Sequence, residues 1–257
     1  MRLMVTGLRG TVGPEVRRAA SVRGWHVQGW DREAVPPEDT AARNALLGPL
    51  QVDGVIHLAV GSEDWAASLA TFARERGIPM VHVSSAMVFD HRPDGPHRPG
   101  DAMTARDDYG RLKQRTEERV AAAAPGATIA RIGWQIGREG EGNHMVAHLE
   151  RQQAESGAIR ASTAWRPACS FLTDTAEALL CLVETRPPGV VHLDSNAEDA
   201  WSFLEVVQAL KRGLGKDHWQ VVPTQDYQHD QRLVGHEALM PRLSQVLGLP
   251  AAHGAAG

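Results

Sequence analysis

Tyr109 and Lys113 stand four residues apart in the run Asp-Tyr-Gly-Arg-Leu-Lys. On a helix that spacing places a phenol and an ammonium on one face. A neighbouring ammonium favours the phenolate, so such a tyrosine exchanges its proton more readily near neutral pH. Upstream lies Ser84-Ser85-Ala86-Met87-Val88-Phe89. A serine at the carboxyl end of a strand, ahead of the tyrosine, can hydrogen-bond a substrate carbonyl. At the start of the chain, Thr6-Gly7-Leu8-Arg9-Gly10-Thr11-Val12-Gly13 follows one expected strand and opens a helix. Its glycines allow a tight turn and close approach of backbone to a pyrophosphate, and the helix start offers unpaired N–H groups to phosphate. Together these residues point to an enzyme that binds a dinucleotide and moves a hydride and a proton in concert.

Asp31 ends the second expected strand. A carboxylate there accepts hydrogen bonds from the adenosine ribose and repels a 2′-phosphate, which favours NAD. Arg32 is adjacent and Arg9 lies inside the glycine turn. Either guanidinium is able to bind a 2′-phosphate bidentately, so NADP stays open behind NAD.

The elements that must position these groups alternate between strand and helix. Strands are expected over 3–6, 25–30, 52–58, 80–84 and 128–132, and helices over 11–22, 41–47, 65–76 and 108–123. Val12, Val16, Ala19 and Ala20 give the first helix an apolar stripe. This alternation predicts an α/β fold, a doubly wound parallel sheet of Rossmann type with a smaller C-terminal substrate-binding region. The stretch 91–100, with its prolines and glycines, reads as a loop, and 250–257 as a fraying tail. Later come a helix over 174–183, with Asp174 and Glu177 placed to cap it, and a strand at 190–193. Ser202 and Glu205 form a capping box that opens a helix to about residue 212. The glycine-rich stretch 137–142 marks a boundary between a cofactor-binding domain, 1–136, and a substrate region, 137–257, with the strand near 189–193 returning to the main sheet.

The 257 residues carry a net charge of -4 and show no Lys/Arg block, which argues against a nucleic-acid partner. No apolar run reaches the length needed to span a bilayer, and no signal peptide is visible before the first strand. The isolated Cys169 and Cys181 fit a reducing cytoplasm. His144 and His148 share the spacing of helix-borne metal ligands, but no adjacent glutamate completes a motif, and no metal is expected. Trp165, Trp201 and Trp219 read as packing residues.

The ordered landmarks resemble the extended short-chain dehydrogenase/reductase family. They are the glycine turn, the third-strand end at His57-Leu58-Ala59, the serine and the Tyr-x-x-x-Lys helix. Within that family the chain is similar to dTDP-4-dehydrorhamnose reductases and related nucleotide-sugar reductases, through Ser84 to Phe89, Tyr109 to Lys113 and Arg131-Ile132-Gly133-Trp134. The resemblance implies Tyr109 as general acid, Lys113 as its modulator and ribose anchor, and Ser85 as hydrogen-bond donor to the developing alkoxide. It assigns Gly7, Arg9, Gly10, Thr11, Val12, Gly13, Asp31, Arg32, Leu58, Ala59 and Val60, with Tyr109 and Lys113, to NAD or NADP. It assigns Ser85, Ala86, Met87 and Trp134 to a nucleotide-sugar substrate, a 4-keto-6-deoxy sugar, and it implies a homodimer. Asn143 and Arg166 are candidates for contact with the nucleotide diphosphate, with an ordinary surface role as the alternative.

Two departures keep alternatives open. The reductases usually carry Asp-Tyr where Ala86 and Met87 stand, a pair closer to the sugar epimerases. The segment between Val60 and Pro79 is short and holds no asparagine to assist a proton relay. An epimerase or dehydratase of the same superfamily, and a cofactor-binding sensor without turnover, are therefore the competing readings.

Overall fold

Leu3 and Val5 of the first strand, β1 (Arg2–Thr6), pack into one apolar layer, while Met4 between them packs into another. Ile56 and Val55 of β3 (Gly54–His57) divide in the same way. Successive side chains of a strand point to opposite faces, so a strand apolar on both belongs in a sheet covered twice. Each fully buried Leu, Val or Ile contributes about 1.5–3 kcal/mol, and the sheet interior is built almost wholly of them.

The computed structural model describes residues 1–89 and 94–249. Part of the expected 91–100 loop, and the whole 250–257 tail, lie outside the described residues. Along the chain, β1 is followed by α1 (Gly13–Val22), β2 (His26–Gly29), α2 (Thr40–Leu47), β3, α3 (Glu63–Arg76), β4 (Met80–Ser85), a 3-10 turn (Ala86–Phe89), α4 (Asp108–Ala123) and β5 (Thr128–Ile132). Next come β6 (Trp134–Ile136), α5 (Met145–Ser156), β7 (Ile159–Ser162), β8 (Trp165–Arg166), β9 (Cys169–Phe171), α6 (Leu172–Thr185) and β10 (Gly189–Leu193). The described chain closes with α7 (Phe203–Gly213), β11 (Val221–Thr224), β12 (His229–Asp230) and α8 (Leu243–Val246).

Six strands form one sheet in the order β10-β5-β4-β3-β1-β2, and every pairing in it is parallel. Helices α1 and α6 cover one face through Val16, Ala19, Leu179 and Val183. Helices α2, α3 and α4 cover the other through Leu47, Trp65, Leu69 and Val120. The doubly wound expectation is met, and β10 joins β5 in the main sheet. The chain crosses from one side of β1 to the other between β2 and β3, so the switch point lies where β1 and β3 end. A third cluster, centred on Ile136, Leu149, Phe171, Phe203, Leu210 and Trp219, holds the short strands and helices of the C-terminal half together.

Local differences from the sequence reading have plain causes. Helix α1 starts at Gly13 rather than Thr11, with Pro14 in its first turn, where a missing N–H costs nothing. Helix α6 begins at Leu172 without a side-chain cap, so Asp174 sits in its first turn instead of capping it. Ser202 and Glu205 do form the reciprocal capping box of α7. Among the described residues, no helix is long and apolar enough to cross a membrane.

Candidate active site

At the switch point, Gly7 adopts φ +74°, and a Cβ on it would stand 2.8 Å from the Ala59 backbone nitrogen. The glycine turn is thus pressed against the end of β3 at Leu58 and Ala59. Thr6 ties the two strand ends: its hydroxyl lies 2.7 Å from His57 Nδ1 and accepts from the Ala59 N–H at 3.2 Å. Gly13 works from behind. A Cβ there would meet Gly7 O and Leu8 Cα at 2.5 Å, so glycine lets α1 start directly under the turn. Gly13 does not line the cleft, whereas Gly7, Arg9, Gly10, Thr11 and Val12 do, with Leu58, Ala59 and Val60 opposite. This is a cradle that a side chain would fill, open at a helix N-terminus, and it fits the diphosphate of a dinucleotide.

The cleft encloses about 1290 Å³, above the range of roughly 300–1,000 Å³ common for single small-molecule sites. One end reaches Asp31 and Arg32 after β2. The middle holds Ser85, Tyr109 and Lys113, and the far end Trp134, Asn143, Trp165, Tyr227 and Gln231. Ser85 ends β4, where its Oγ accepts the Met87 N–H at 3.2 Å. Its hydroxyl lies near enough to the Tyr109 phenol to favour the phenolate. Ser84 also borders the cleft, but its Oγ is buried and, among the described residues, makes no hydrogen bond.

Tyr109 and Lys113 lie on α4, whose N-cap Asp107 accepts the Gly110 N–H at 2.8 Å. Gly110 is required: a Cβ on it would stand 2.7 Å from Met87 O and 2.4 Å from Ala105 Cβ. The Tyr-Gly pair therefore brings the first turn of α4 against the Ser85–Met87 turn. Lys113 is 4% exposed, and its Nζ donates to Val83 O at 2.9 Å while standing 5.9 Å from the centre of the Tyr109 ring. Burial lowers its pKa to about 8, against the opposing pull of Glu117. The phenol behaves otherwise than the spacing suggested. Burial raises the Tyr109 pKa, Asp107 adds to the rise, and the Ser85 hydroxyl opposes it, although 42% of the residue faces the cleft. Tyr109 is therefore protonated at neutral pH and set up to give a proton.

Beneath this pair, His57 and His82 stack with ring centres 5.4 Å apart. Burial, reinforced by Lys113, lowers His57 to about 3 and takes His82 well below its ordinary value, so both rings are neutral. Glu117, one helical turn beyond Lys113, is held by Arg131 through Nη2–Oε2 at 2.7 Å, with both side chains buried. Arg131 is thus a structural anchor of α4 on β5, while Trp134 three residues on reaches the cleft. Trp134 stacks on Trp165 at 6.1 Å, and Tyr227 meets Trp165 edge-on at 5.4 Å, which gives the far end an aromatic wall.

Ala86 and Met87 line the cleft, as does Asn143, whose carbonyl accepts the Thr11 hydroxyl at 3.1 Å. Arg166 does not: on β8 its Nε donates to Ala200 O at 3.1 Å, and it lies off the cleft lining. His144 caps α5, accepting from Ala147 N, and His148 packs edge-on against Trp134 at 5.5 Å. Among the described residues, no cluster of three or more His, Cys, Asp or Glu is placed to hold a metal ion. Sequence reasoning missed Arg17, Gln135, Trp165, Tyr227 and Gln231 as cleft residues. Arg17 alone carried a signal, lying one helical turn after Gly13 on the face that carries the glycine turn.

A family model described as "RmlD substrate binding domain" matches residues 1–233. A dTDP-4-keto-6-deoxy-D-glucose reductase from Streptomyces niveus is 30% identical over 184 residues, 71% of this chain and 60% of that enzyme. The matched stretch thus spans less than two thirds of that relative. A dTDP-4-dehydrorhamnose reductase from Mycobacterium tuberculosis is 27% identical over 247 residues, 88% of this chain and 80% of its own. Among solved structures, the dTDP-4-dehydrorhamnose reductase of Bacillus anthracis, in complex with NADP, superposes with a TM-score of 0.78 at 18% identity, covering 96% of each chain.

Proposed function

The chain belongs to the RmlD substrate binding domain family, within the extended short-chain dehydrogenase/reductases, and on that premise we propose that it is an NAD(P)H-dependent reductase of a nucleotide-linked 4-keto-6-deoxy sugar. The observation that carries this reading is the meeting of Ser85, Tyr109 and Lys113 in one cleft continuous with the glycine turn. The names of the Streptomyces niveus and Mycobacterium tuberculosis relatives support the sugar class. The NADP complex of the Bacillus anthracis protein supports a nicotinamide cofactor.

The reduced nicotinamide, when bound, supplies the hydride. Gly7, Gly10, Thr11 and Val12 hold the diphosphate, Leu58 to Val60 bound the site beyond β3, and Lys113 binds the nicotinamide ribose. Tyr109 gives its proton to the keto oxygen, which becomes the product hydroxyl. The Ser85 hydroxyl donates to the same oxygen as negative charge builds on it, an oxyanion-type contact in a partly desolvated site. Trp134, with Trp165 and Tyr227 behind it, packs against the sugar, and the region 137–257 apart from α6 and β10 serves as the substrate lobe. Losing a general acid typically costs about 10²–10⁴-fold in rate.

A second reading, an epimerase of the same superfamily, is favoured by Ala86 and Met87 beside Ser85. Steady-state assays with a panel of nucleotide-linked keto sugars separate the two. The reductase oxidises NAD(P)H only when keto sugar is added, and Tyr109→Phe lowers that rate by at least about 100-fold. A sugar isomer formed without net cofactor turnover would instead establish the epimerase.

A further inference from the structure

We propose that Gln231 reads the hydroxyl on carbon 3 of the sugar, next to the keto carbon, and so selects substrates that keep that group over their 3-deoxy counterparts. The proposal rests on the reductase reading above and names a sub-class of its substrate. Gln231 lines the cleft although it is only 7% exposed. Its backbone is pinned. The Gln231 N–H donates to Arg166 O at 2.9 Å, and two residues on the Leu233 N–H donates to Asp194 Oδ2 at 2.9 Å. Leu233 packs with Ala86, Val88 and Phe89 of the 3-10 turn that follows Ser85. That packing brings the glutamine to Met87, two residues beyond the serine assigned to the keto oxygen.

The side chain is poorly paired for a buried carboxamide. Among the described residues its one hydrogen bond runs from Nε2 to the Met87 thioether at 3.6 Å, a weak acceptor. Its Oε1 has no partner among them, yet it is not one of the sealed polar atoms of the interior, so it stays reachable from the cleft. A buried amide left in this way costs stability that a leucine or methionine would not, which points to a ligand as its partner. The ligand is uncharged at this point. Arg232, the next residue, is clamped by Asp230 at 2.7 and 2.8 Å and donates to Ala197 O, and Arg166 on the paired strand donates to Ala200 O, so neither flanking guanidinium stands ready for a phosphate. A carboxamide offers a donor and an acceptor together, which matches an alcohol. With the keto oxygen at Ser85 and Tyr109, the neighbouring ring carbons are carbon 3, which bears a hydroxyl, and carbon 5, which in a 6-deoxy sugar bears a methyl group. Of the two, only the hydroxyl bonds an amide: Oε1 accepts its proton, and Nε2 turns from the sulfur to its oxygen. A 3-deoxy sugar would leave the amide unpaired in a desolvated site, the situation in which hydrogen bonds discriminate best.

Steady-state kinetics with NAD(P)H and two nucleotide-linked 4-keto-6-deoxy sugars, alike except for the hydroxyl on carbon 3, test this. Wild type should favour the hydroxylated sugar by about 10–100-fold in kcat/KM, the worth of one or two hydrogen bonds to a buried amide. Gln231→Met keeps the side-chain length and packs on Met87 without the amide. In that variant the ratio between the two sugars should fall to within about threefold of unity, through loss on the hydroxylated one. Its melting temperature should match or exceed that of wild type. Equal kcat/KM for the two sugars in wild type would overturn the proposal while the reductase reading stands. So would a loss in Gln231→Met shared equally by both sugars, which would leave the ratio intact. If NAD(P)H binds but neither sugar is reduced, the reductase reading falls and this proposal falls with it.

Discussion

Replacing Lys113 by methionine should make the protein more stable while abolishing its activity. The lysine is 4% exposed, and burial brings its pKa from 10.5 to about 8. A fall of that size corresponds to about 3 kcal/mol of cost for keeping the ammonium charged at neutral pH. Methionine fills a similar volume without the charge, but gives up the Nζ bond to Val83 O, worth about 1 kcal/mol. The net gain is about 2 kcal/mol, or about 4–8 °C in melting temperature for a chain of this length. The pH dependence separates this cause from mere repacking. The unfolded lysine keeps its proton up to 10.5, whereas the folded one releases it near 8. Wild-type stability therefore rises with pH between about 8 and 10.5, and the penalty is present in full below 8. Urea denaturation at pH 7 and at steps up to pH 10.5 should show the variant ahead at pH 7 and its lead shrinking across that window. A variant less stable than wild type at pH 7, or a lead that does not change with pH, would refute the reasoning. The accompanying loss of turnover would mark Lys113 as a group retained for function against stability.

Other expectations are simpler to state. Gly110→Ala places a methyl group 2.4 Å from Ala105 Cβ and 2.7 Å from Met87 O, so α4 must shift. Turnover should fall by about 10²-fold or more through misplacement of Tyr109, with a smaller change in thermal stability than in rate. Glu117→Gln leaves the buried Arg131 without its counter-charge and should cost about 3–5 kcal/mol in denaturant unfolding. Glu117→Asp should recover part of that loss. Gly7→Ala, at φ +74° and against the Ala59 backbone, should weaken cofactor binding in a fluorescence titration by more than tenfold.

The N-terminal half was legible because each element there announces itself. Strands such as Gly54–His57 are apolar on both faces, and helices such as α3 carry a serine cap, Ser62, and a glycine stop, Gly77. Tyr109 and Lys113 share a helix face by spacing, whereas Ser85 is singled out from the Ser84-Ser85 pair only by the family resemblance. The C-terminal half gave less to read. Its strands β6, β8 and β9 are two or three residues long, too short for alternation to show. Helix α5 is capped by His144, a residue type that rarely signals a helix start. Tyr227 and Gln231 reach the cleft from irregular segments, where no period links sequence to direction. Arg166 shows the reverse limit: its charge suggested a diphosphate, but the fold turns it to a carbonyl of the 194–200 loop. The Tyr109 pKa shows another. Helical spacing brings the ammonium to its face, yet burial of the phenol outweighs that proximity.

The central claim is that a hydride from the nicotinamide and a proton from Tyr109 reach the two atoms of one keto group. Single turnover with NADPH deuterated at the transferable position, a nucleotide-linked 4-keto-6-deoxy sugar and mass spectrometric and NMR analysis of the sugar tests it most directly. The account predicts deuterium on the former carbonyl carbon of the product, formed by wild type and at least about 100-fold more slowly by Tyr109→Phe. An unlabelled product, or a labelled one formed at the same rate by the variant, would contradict it.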